Sequence, residues 1–198
     1  MKRIEIENQK PNFIGCWNIE NKILCNEIIS FFEKNKDLSK EGTTTLGKNV
    51  DAKKTTDITI TPKNLEQPQF NIFKEYFNEL HKCYVDYQKQ WPFVKSIFSK
   101  VDIGVFNVQK YNPGDHFSHL HCERTSLNSL HRLFAFMTYL NNVEDGGKTN
   151  FDYYKIKIKP EVGKTLIWPA EWTHAHAGEV LKSGIKYIVT GWLHFPVK

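Results

Sequence analysis

The spacing of hydrophobic residues in the first half of the chain predicts two helices and two short strands. Ile23–Lys34 has apolar residues at helical spacing, and Asn21 is a suitable N-cap. Its apolar members are Ile23, Ile28, Phe31 and Phe32. Phe70–Trp91 carries a stronger stripe, formed by Phe73, Tyr76, Phe77, Leu80, Tyr84 and Tyr87. Phe13–Trp17 and Thr55–Thr61 are expected to be strands, and the aromatic stripe is interpreted as a packing face.

From Val101 onwards the pattern changes to short apolar, β-branched and aromatic runs. These runs are Val101–Tyr111, Leu133–Leu140, Thr149–Ile158, Thr165–Pro169 and Tyr187–Phe195. Gly- and Pro-containing turns separate them. Regular short strands of this kind are typical of a β-sandwich or jelly roll. The predicted fold class is therefore α+β, mainly β, with helices first and a β core afterwards.

Composition narrows the class of protein. The chain has 198 residues, of which 40% are hydrophobic and 14% aromatic, so we expect one globular domain with a substantial core. The net charge of +5 is mild, and the lysines are interspersed with acidic and apolar residues. A basic block typical of nucleic-acid binding is not present in the sequence.

Cysteine usage and the N-terminus indicate a cytoplasmic protein. Cys16, Cys25, Cys83 and Cys122 show no CxxC spacing, which favours reduced thiols. Met1–Glu7 alternates charged and apolar residues and has no continuous apolar stretch. No run is long enough to span a bilayer, so we expect no membrane partner.

The candidate chemistry lies in His121-Cys122-Glu123 and in the later pair His174 and His176. On a strand, His121 and Glu123 would share a face, because side chains alternate. A distant histidine would complete a two-histidine-one-carboxylate triad, the arrangement that holds non-haem Fe(II). Residue spacing alone leaves His174 and His176 as equal candidates. A zinc site built from His119 and His121 is a rival interpretation.

The C-terminal strand places a lysine on an apolar face. Lys186, Ile188, Thr190 and Trp192 share one face if the segment is extended. Inside a jelly roll such a lysine would need an anion, because an unpaired buried ammonium is costly. The alternative is a strand-end lysine that reaches solvent.

Eight blocks of the C-terminal half together resemble the iron- and 2-oxoglutarate-dependent oxygenases, in particular the small prolyl 4-hydroxylase-like members of bacterial and phage type. In order, these are Tyr111-Asn112-Pro113-Gly114, His121-Cys122-Glu123, Thr138-Tyr139-Leu140-Asn141, Gly146–Phe151, Pro160–Trp168, His176-Ala177-Gly178, Gly184-Ile185-Lys186 and Trp192. The resemblance implies a double-stranded β-helix (jelly roll) within a single domain, 1–198. Residues 1–100 would supply helical and strand support and 101–198 most of the core.

The resemblance also implies the roles of the site residues. His121, Glu123 and His176 would be catalytic metal ligands, with His174 in reserve. Lys186 would bind 2-oxoglutarate, assisted by three further residues, Tyr139, Thr190 and Tyr111. The acid is glutamate where most of the family has aspartate, which puts the coordination geometry in question.

The implied reaction is hydroxylation of an unactivated C–H bond with release of succinate and CO2. Fe(II) would be the cofactor, 2-oxoglutarate and O2 the co-substrates, and ascorbate a candidate reductant. A peptidyl proline is the substrate that the resemblance suggests; another protein side chain, a free amino acid or a small metabolite stays open. The sequence does not reveal the oligomeric state.

Two other classes share the jelly roll and histidine ligands. One is a cupin-type metalloprotein, an isomerase or a binding module, without 2-oxoglutarate; it would leave Lys186 without a purpose. The other is a non-catalytic module whose metal site has decayed. Two flanking residues carry separate expectations: Arg132 a surface or sheet-packing role, and Trp172 either the substrate entrance or the core.

Overall fold

The computed structural model describes residues 1–4, 11–44 and 47–196. Part of the alternating N-terminal segment, residues 5–7, lies outside these described residues. Within them, no helix combines the length and the apolar character needed to cross a membrane. All four cysteines are free, and Cys122 is half-buried while the other three are buried. The cytoplasmic location stays a prediction.

Three α-helices lie in the part of the chain that the structure describes: α1 (Lys22–Lys34), α2 (Ile72–Gln90) and α3 (Pro92–Ile97). The side chain of Asn21 accepts a hydrogen bond from the Leu24 amide, so the predicted N-cap is confirmed. The aromatic stripe of α2 packs into the core as expected. The prediction that Ile23 belongs to the packing face of α1 is wrong, since 71% of its surface is exposed. Leu24 and Cys25 are buried instead.

The described residues also contain twelve strands. They are β1 (Lys2–Arg3), β2 (Gly15–Asn18), β3 (Lys40–Glu41), β4 (Thr56–Ile60), β5 (Asp102–Tyr111), β6 (Phe117–His121), β7 (Arg132–Tyr139), β8 (Thr149–Phe151), β9 (Ile156–Ile158), β10 (Lys164–Pro169), β11 (His176–Gly178) and β12 (Lys186–His194). The protein is mainly β, and the predicted run Thr149–Ile158 divides into the hairpin of β8 and β9.

Two antiparallel sheets enclose the site. The larger has the order β1-β2-β10-β7-β12-β5-β4-β3 and the smaller the order β6-β11-β8-β9. One core lies between the larger sheet and helices α1 and α2, and includes Phe73, Phe106 and Phe136. The second lies between the two sheets, where Tyr139 and Ile188 of the larger sheet meet Phe151 of the smaller. Burying each such side chain stabilises the fold by about 1.5–3 kcal/mol.

The segment before β4 passes from one sheet to the other. The backbone of Lys54 pairs with that of His116, and the carbonyl of Ala52 accepts from the amide of His119. The chain then enters β4, which pairs with β5. This crossing fixes the edge of β6, the strand that ends at His121.

Candidate metal and co-substrate site

Strand pairing brings two histidines together at the end of the smaller sheet. His121 is the last residue of β6 and His176 the first of β11, and they are direct partners in the antiparallel pair. Their ring centroids lie 4.4 Å apart. Glu123 lies in a bend two residues beyond His121, where its amide donates to the carbonyl of Ala170. The expectation that Glu123 continues a strand is therefore wrong, although it does approach His121.

The three side chains point ligand atoms at one another. Oε1 of Glu123 is 3.3 Å from Nε2 of His176 and 3.8 Å from Nε2 of His121. All three ligand atoms lie within 4.8 Å of one another, and His119 does not belong to this group. Two imidazole nitrogens and one carboxylate oxygen suit a divalent transition metal.

Both imidazoles are held in the tautomer that a metal requires. Nδ1 of His121 donates to the carbonyl of His119 at 2.8 Å, and Nδ1 of His176 donates to the carbonyl of His174 at 2.9 Å. Because a carbonyl only accepts, Nδ1 of each ring carries a proton, and Nε2 is the nitrogen left to face a metal. The ring of Phe117 stacks on His121 at 3.8 Å and fixes its plane.

The second oxygen of Glu123 has its own donor. Nε1 of Trp192 donates to Oε2 at 2.6 Å. The guanidinium of Arg132 lies 3.6 Å over the Trp192 ring and donates to the carbonyl of Glu123 at 3.0 Å. Arg132 therefore packs on the sheet, as expected, and also supports the backbone of Glu123. Trp192 and Arg132 both act through Glu123.

Burial governs the protonation of the cluster. It lowers the pKa of His121 to about 4, and the neighbouring His176 adds to the effect. For Glu123, burial alone would raise the pKa, but hydrogen bonding and charge interaction with His176 outweigh it and lower the pKa to about 2. At neutral pH His121 is thus a neutral imidazole and Glu123 an ionised carboxylate, the forms that bind metals.

His174 belongs to a different set of contacts. It ends a short 3₁₀ turn, Trp172–His174, so it does not share a strand face with His176. Its Nε2 donates to the carbonyl of Asn12 at 2.9 Å, and its Nδ1 lies 3.0 Å from the Thr173 hydroxyl. Both nitrogens have protein partners, which fits a structural role.

Lys186 lies inside the fold. It is 3% exposed, and its Nζ donates to the carbonyl of Gly147 at 3.1 Å and sits 3.8 Å over the Tyr111 ring. Gly147 has a φ of +66°, which favours glycine, and a Cβ at this position would lie only 3.2 Å from the Lys186 side chain. Glycine therefore allows both the backbone turn and the close approach of Lys186. Burial lowers the pKa of Lys186 to about 7. Reaching solvent, the alternative for this lysine, is excluded by its burial.

The three hydroxyl groups expected near Lys186 are on interior positions but have protein partners. The hydroxyl of Tyr139 lies 2.6 Å from that of Thr149. Tyr111 donates to Oε1 of Gln109 at 2.8 Å, and Thr190 donates to the carbonyl of Phe136 at 3.0 Å. Burial raises the pKa of both tyrosines, so they stay neutral donors.

Sequence reasoning missed Phe117, Gln109 and the contact of Arg132 with Glu123. Phe117 begins β6 after the turn Asn112-Pro113-Gly114-Asp115, and no periodic signal in the sequence marks it. Trp172 is 65% exposed, so packing in the core is excluded for it.

Comparison with known proteins agrees with this geometry. Residues 106–194 match the family model of the 2OG-Fe(II) oxygenase superfamily. No curated protein matches the chain.

Solved structures share the fold over nearly the whole chain. Viral collagen prolyl hydroxylase from Paramecium bursaria Chlorella virus-1, in its 2OG complex, is 20% identical with a TM-score of 0.68, covering 93% of this chain and 97% of its own. A prolyl-4-hydroxylase from Pseudomonas putida is 14% identical with a TM-score of 0.68 and covers 94% of each chain. A prolyl hydroxylase from Trichoplax adhaerens, in complex with a hypoxia inducible factor peptide fragment, is 14% identical with a TM-score of 0.70, covering 92% and 84%. Residues 106–194 thus carry the sequence pattern of the 2OG-Fe(II) oxygenase superfamily, and the chain shares its fold with prolyl hydroxylases.

Proposed function

We propose that the protein hydroxylates a C–H bond of a peptidyl proline, with release of succinate and CO2. The observation that carries the proposal is the convergence of the ligand atoms of His121, Glu123 and His176 within 4.8 Å. Trp192, which binds Glu123, and Tyr111, which contacts Lys186, both pack in the core between the two sheets. A metal site and an anion site on one interior face are what a chelating keto-diacid requires.

His121, Glu123 and His176 would hold Fe(II) through two Nε2 atoms and Oε1. Three protein ligands leave coordination positions open for co-substrates. When bound, iron and 2-oxoglutarate supply the oxidising chemistry, using O2, that places one oxygen atom in the substrate; ascorbate would restore the reduced metal. The protein would keep His121 neutral, orient both rings and the carboxylate, and exclude water.

Lys186 would bind the distal carboxylate of 2-oxoglutarate. Its Nζ has room in its donor set, because a lysine ammonium has three protons and one contact is to a carbonyl. Tyr139 would add a hydroxyl donor after exchanging its contact with Thr149. Tyr111 would contribute the face of its ring to the ammonium. Thr190 stays a weaker candidate, since its proton goes to a backbone carbonyl.

The architecture supports a jelly roll in a single domain, 1–198. The two sheets share one core and the crossing segment before β4 joins their edges. Helices of the N-terminal half cover the outer face of the larger sheet. We infer that the domain folds as one unit around the site.

A peptide substrate is supported by an aromatic pair beside the site. Trp172 and Tyr153, 65% and 59% exposed, lie with ring centroids 6.1 Å apart, and Trp172 is four residues before His176. Exposed aromatic rings are the surfaces on which proline-rich peptides dock. The relatives named above are prolyl hydroxylases, one of them bound to a peptide.

The family match and Lys186 favour this function over a cupin-type isomerase or binding module. The decisive test is to add 2-oxoglutarate to anaerobic Fe(II)-loaded protein and record the metal-to-ligand charge-transfer absorption. A band is expected only with both components present. The absence of a band would exclude the oxygenase.

Substrate class needs a second experiment. Proline-containing peptides, matched peptides with alanine at the proline, and free proline would be incubated with the loaded enzyme and analysed by mass spectrometry. We expect a gain of one oxygen atom in the proline peptides alone. Modification of the alanine peptides would identify a different side chain as the target.

A further inference from the structure

A buried polar network lies beside the co-substrate site, and only one of its residues, Tyr111, belongs to a sequence block described above. We call it the corner network because it lies where the chain crosses between the sheets. Its members, all at most 6% exposed, are Lys53, Thr55, Asp57, Gln109 and Tyr111.

Asp57 is the centre of the corner network. Its Oδ2 accepts from Nζ of Lys53 at 2.6 Å and from Nε2 of Gln109 at 3.0 Å. Its Oδ1 accepts from the hydroxyl of Thr55 at 2.7 Å. Lys53 and Asp57 neutralise each other, so the network brings no net charge to the site. A buried ion pair of this kind contributes little net stability, which leaves its purpose open.

Hydrogen bonding in the network has one possible direction. A carboxylate only accepts, so the amide nitrogen of Gln109 must face Asp57 and its oxygen must face Tyr111. Tyr111 must then donate, which turns its hydroxyl away from Lys186 and presents the ring face. Gln109 and Asp57 are direct partners on β5 and β4, and Tyr111 and Lys186 are direct partners on β5 and β12.

The network also reaches the metal ligands. Nζ of Lys53 lies 5.4 Å from the ring of Phe117, which stacks on His121. At its other end, the ring of Tyr111 lies 3.8 Å from Nζ of Lys186. The contacts therefore run from one end of the site to the other through Asp57.

We propose that Asp57 and Gln109 are positioning residues that hold the Tyr111 ring against Lys186 and so set the affinity for a 2-oxo acid with a distal carboxylate. This inference rests on the proposed function. Neither residue would touch the co-substrate; each acts through Tyr111. The ring stabilises the ammonium without using up its protons, which stay available to the carboxylate.

The test compares two 2-oxo acids on the Mn(II)-loaded protein by calorimetry without oxygen. Both 2-oxoglutarate and 2-oxopentanoate can chelate the metal, but 2-oxopentanoate has no distal carboxylate. In Gln109→Met, close in size but without the amide, we expect 2-oxoglutarate to bind about tenfold more weakly, the size of a lost cation–π contact to a desolvated ammonium. Binding of 2-oxopentanoate should not change. Asp57→Asn provides a second variant with the same expected selectivity.

Tyr76→Phe is the matched control, because Tyr76 also loses a buried hydroxyl contact, 2.9 Å to Thr138, but on the helix side of the sheet. It should leave both affinities unchanged. Equal weakening of both acids in the network variants, or no weakening, would overturn the positioning role. If the unmodified protein binds the two acids equally well, the proposed use of 2-oxoglutarate is contradicted. This outcome is distinguishable from failure of the positioning role, which is judged from the variants.

Discussion

Trp192 and Glu123 form a 2.6 Å hydrogen bond between indole Nε1 and carboxylate Oε2. It leaves Oε1 facing both histidines. Glutamate has one more methylene than the aspartate found in most of the oxygenases that this sequence resembles, so the Glu123 side chain has more conformational freedom. The hydrogen bond from the Trp192 indole restrains the carboxylate and favours binding of a metal through Oε1 alone.

Replacing Trp192 should therefore weaken metal binding. In Trp192→Phe, Glu123 loses its hydrogen-bond donor while an aromatic ring is retained. We expect about tenfold lower affinity for Mn(II), the smallest loss usually seen when a hydrogen bond to a metal ligand is removed. Equilibrium titration would measure it. Trp91→Phe, in the helix-side core, is the control. Unchanged affinity in Trp192→Phe would show that Glu123 is held by other means.

Substitutions of His174 and His176 should have different effects on metal binding and on stability. His176→Ala removes a proposed ligand and should abolish Mn(II) binding at micromolar concentrations. His174→Ala should still bind metal but lower the free energy of unfolding by about 1–3 kcal/mol, because the Asn12 carbonyl loses its donor. Metal titration and urea denaturation give the two readouts. Metal binding by His176→Ala and not by His174→Ala would reverse the assignment.

Lys186→Met should weaken binding of 2-oxoglutarate without changing the affinity for the metal. Methionine keeps the length of the side chain without the charge, so 2-oxoglutarate should bind about 10–100-fold more weakly, in line with a lost charge-assisted bond. Mn(II) affinity should stay the same. A parallel loss of metal affinity would contradict the assigned role of Lys186.

Co-substrate binding should take up a proton above neutral pH. Burial lowers the pKa of Lys186 to about 7, so at pH 8 the amine is mostly neutral, and a carboxylate partner would restore the ammonium. Calorimetry at pH 8 in two buffers of different ionisation enthalpy should show uptake of close to one proton for 2-oxoglutarate. Uptake should be absent for 2-oxopentanoate and for Lys186→Met; equal uptake for both acids would point to another group.

The same group affects stability with a defined sign. Unfolding returns Lys186 to its ordinary pKa of 10.5, so between about pH 7 and 10.5 the unfolded chain binds the extra proton. The contribution of Lys186 to the free energy of unfolding therefore rises with pH across this window. Lys186→Met should remove that part of the pH dependence in denaturant titrations.

Sequence patterns predicted the elements whose periodicity is long and regular. The stripe of α2 and the strands around Tyr139 and Lys186 lie where expected. The prediction for Ile23 was wrong because Leu24, not Ile23, lies four residues before Ile28 and so shares its helix face.

Two site residues could not be placed by alternation. Glu123 lies beyond the end of β6, where period two no longer applies. Arg132 sits at a register irregularity between Leu193 and His194 of the pairing strand, so its parity relative to Tyr139 is not informative. Alternation holds only within an uninterrupted ladder.

The backbone carbonyls of His119 and His174 each lie two residues before the imidazole that they hold. No side-chain replacement can delete these acceptors, since every amino acid carries the same carbonyl. The nitrogen that each ring presents to a metal is thus inherited from the path of the main chain. The surrounding side chains can drift in evolution, towards a new substrate for example, without changing which nitrogen is offered.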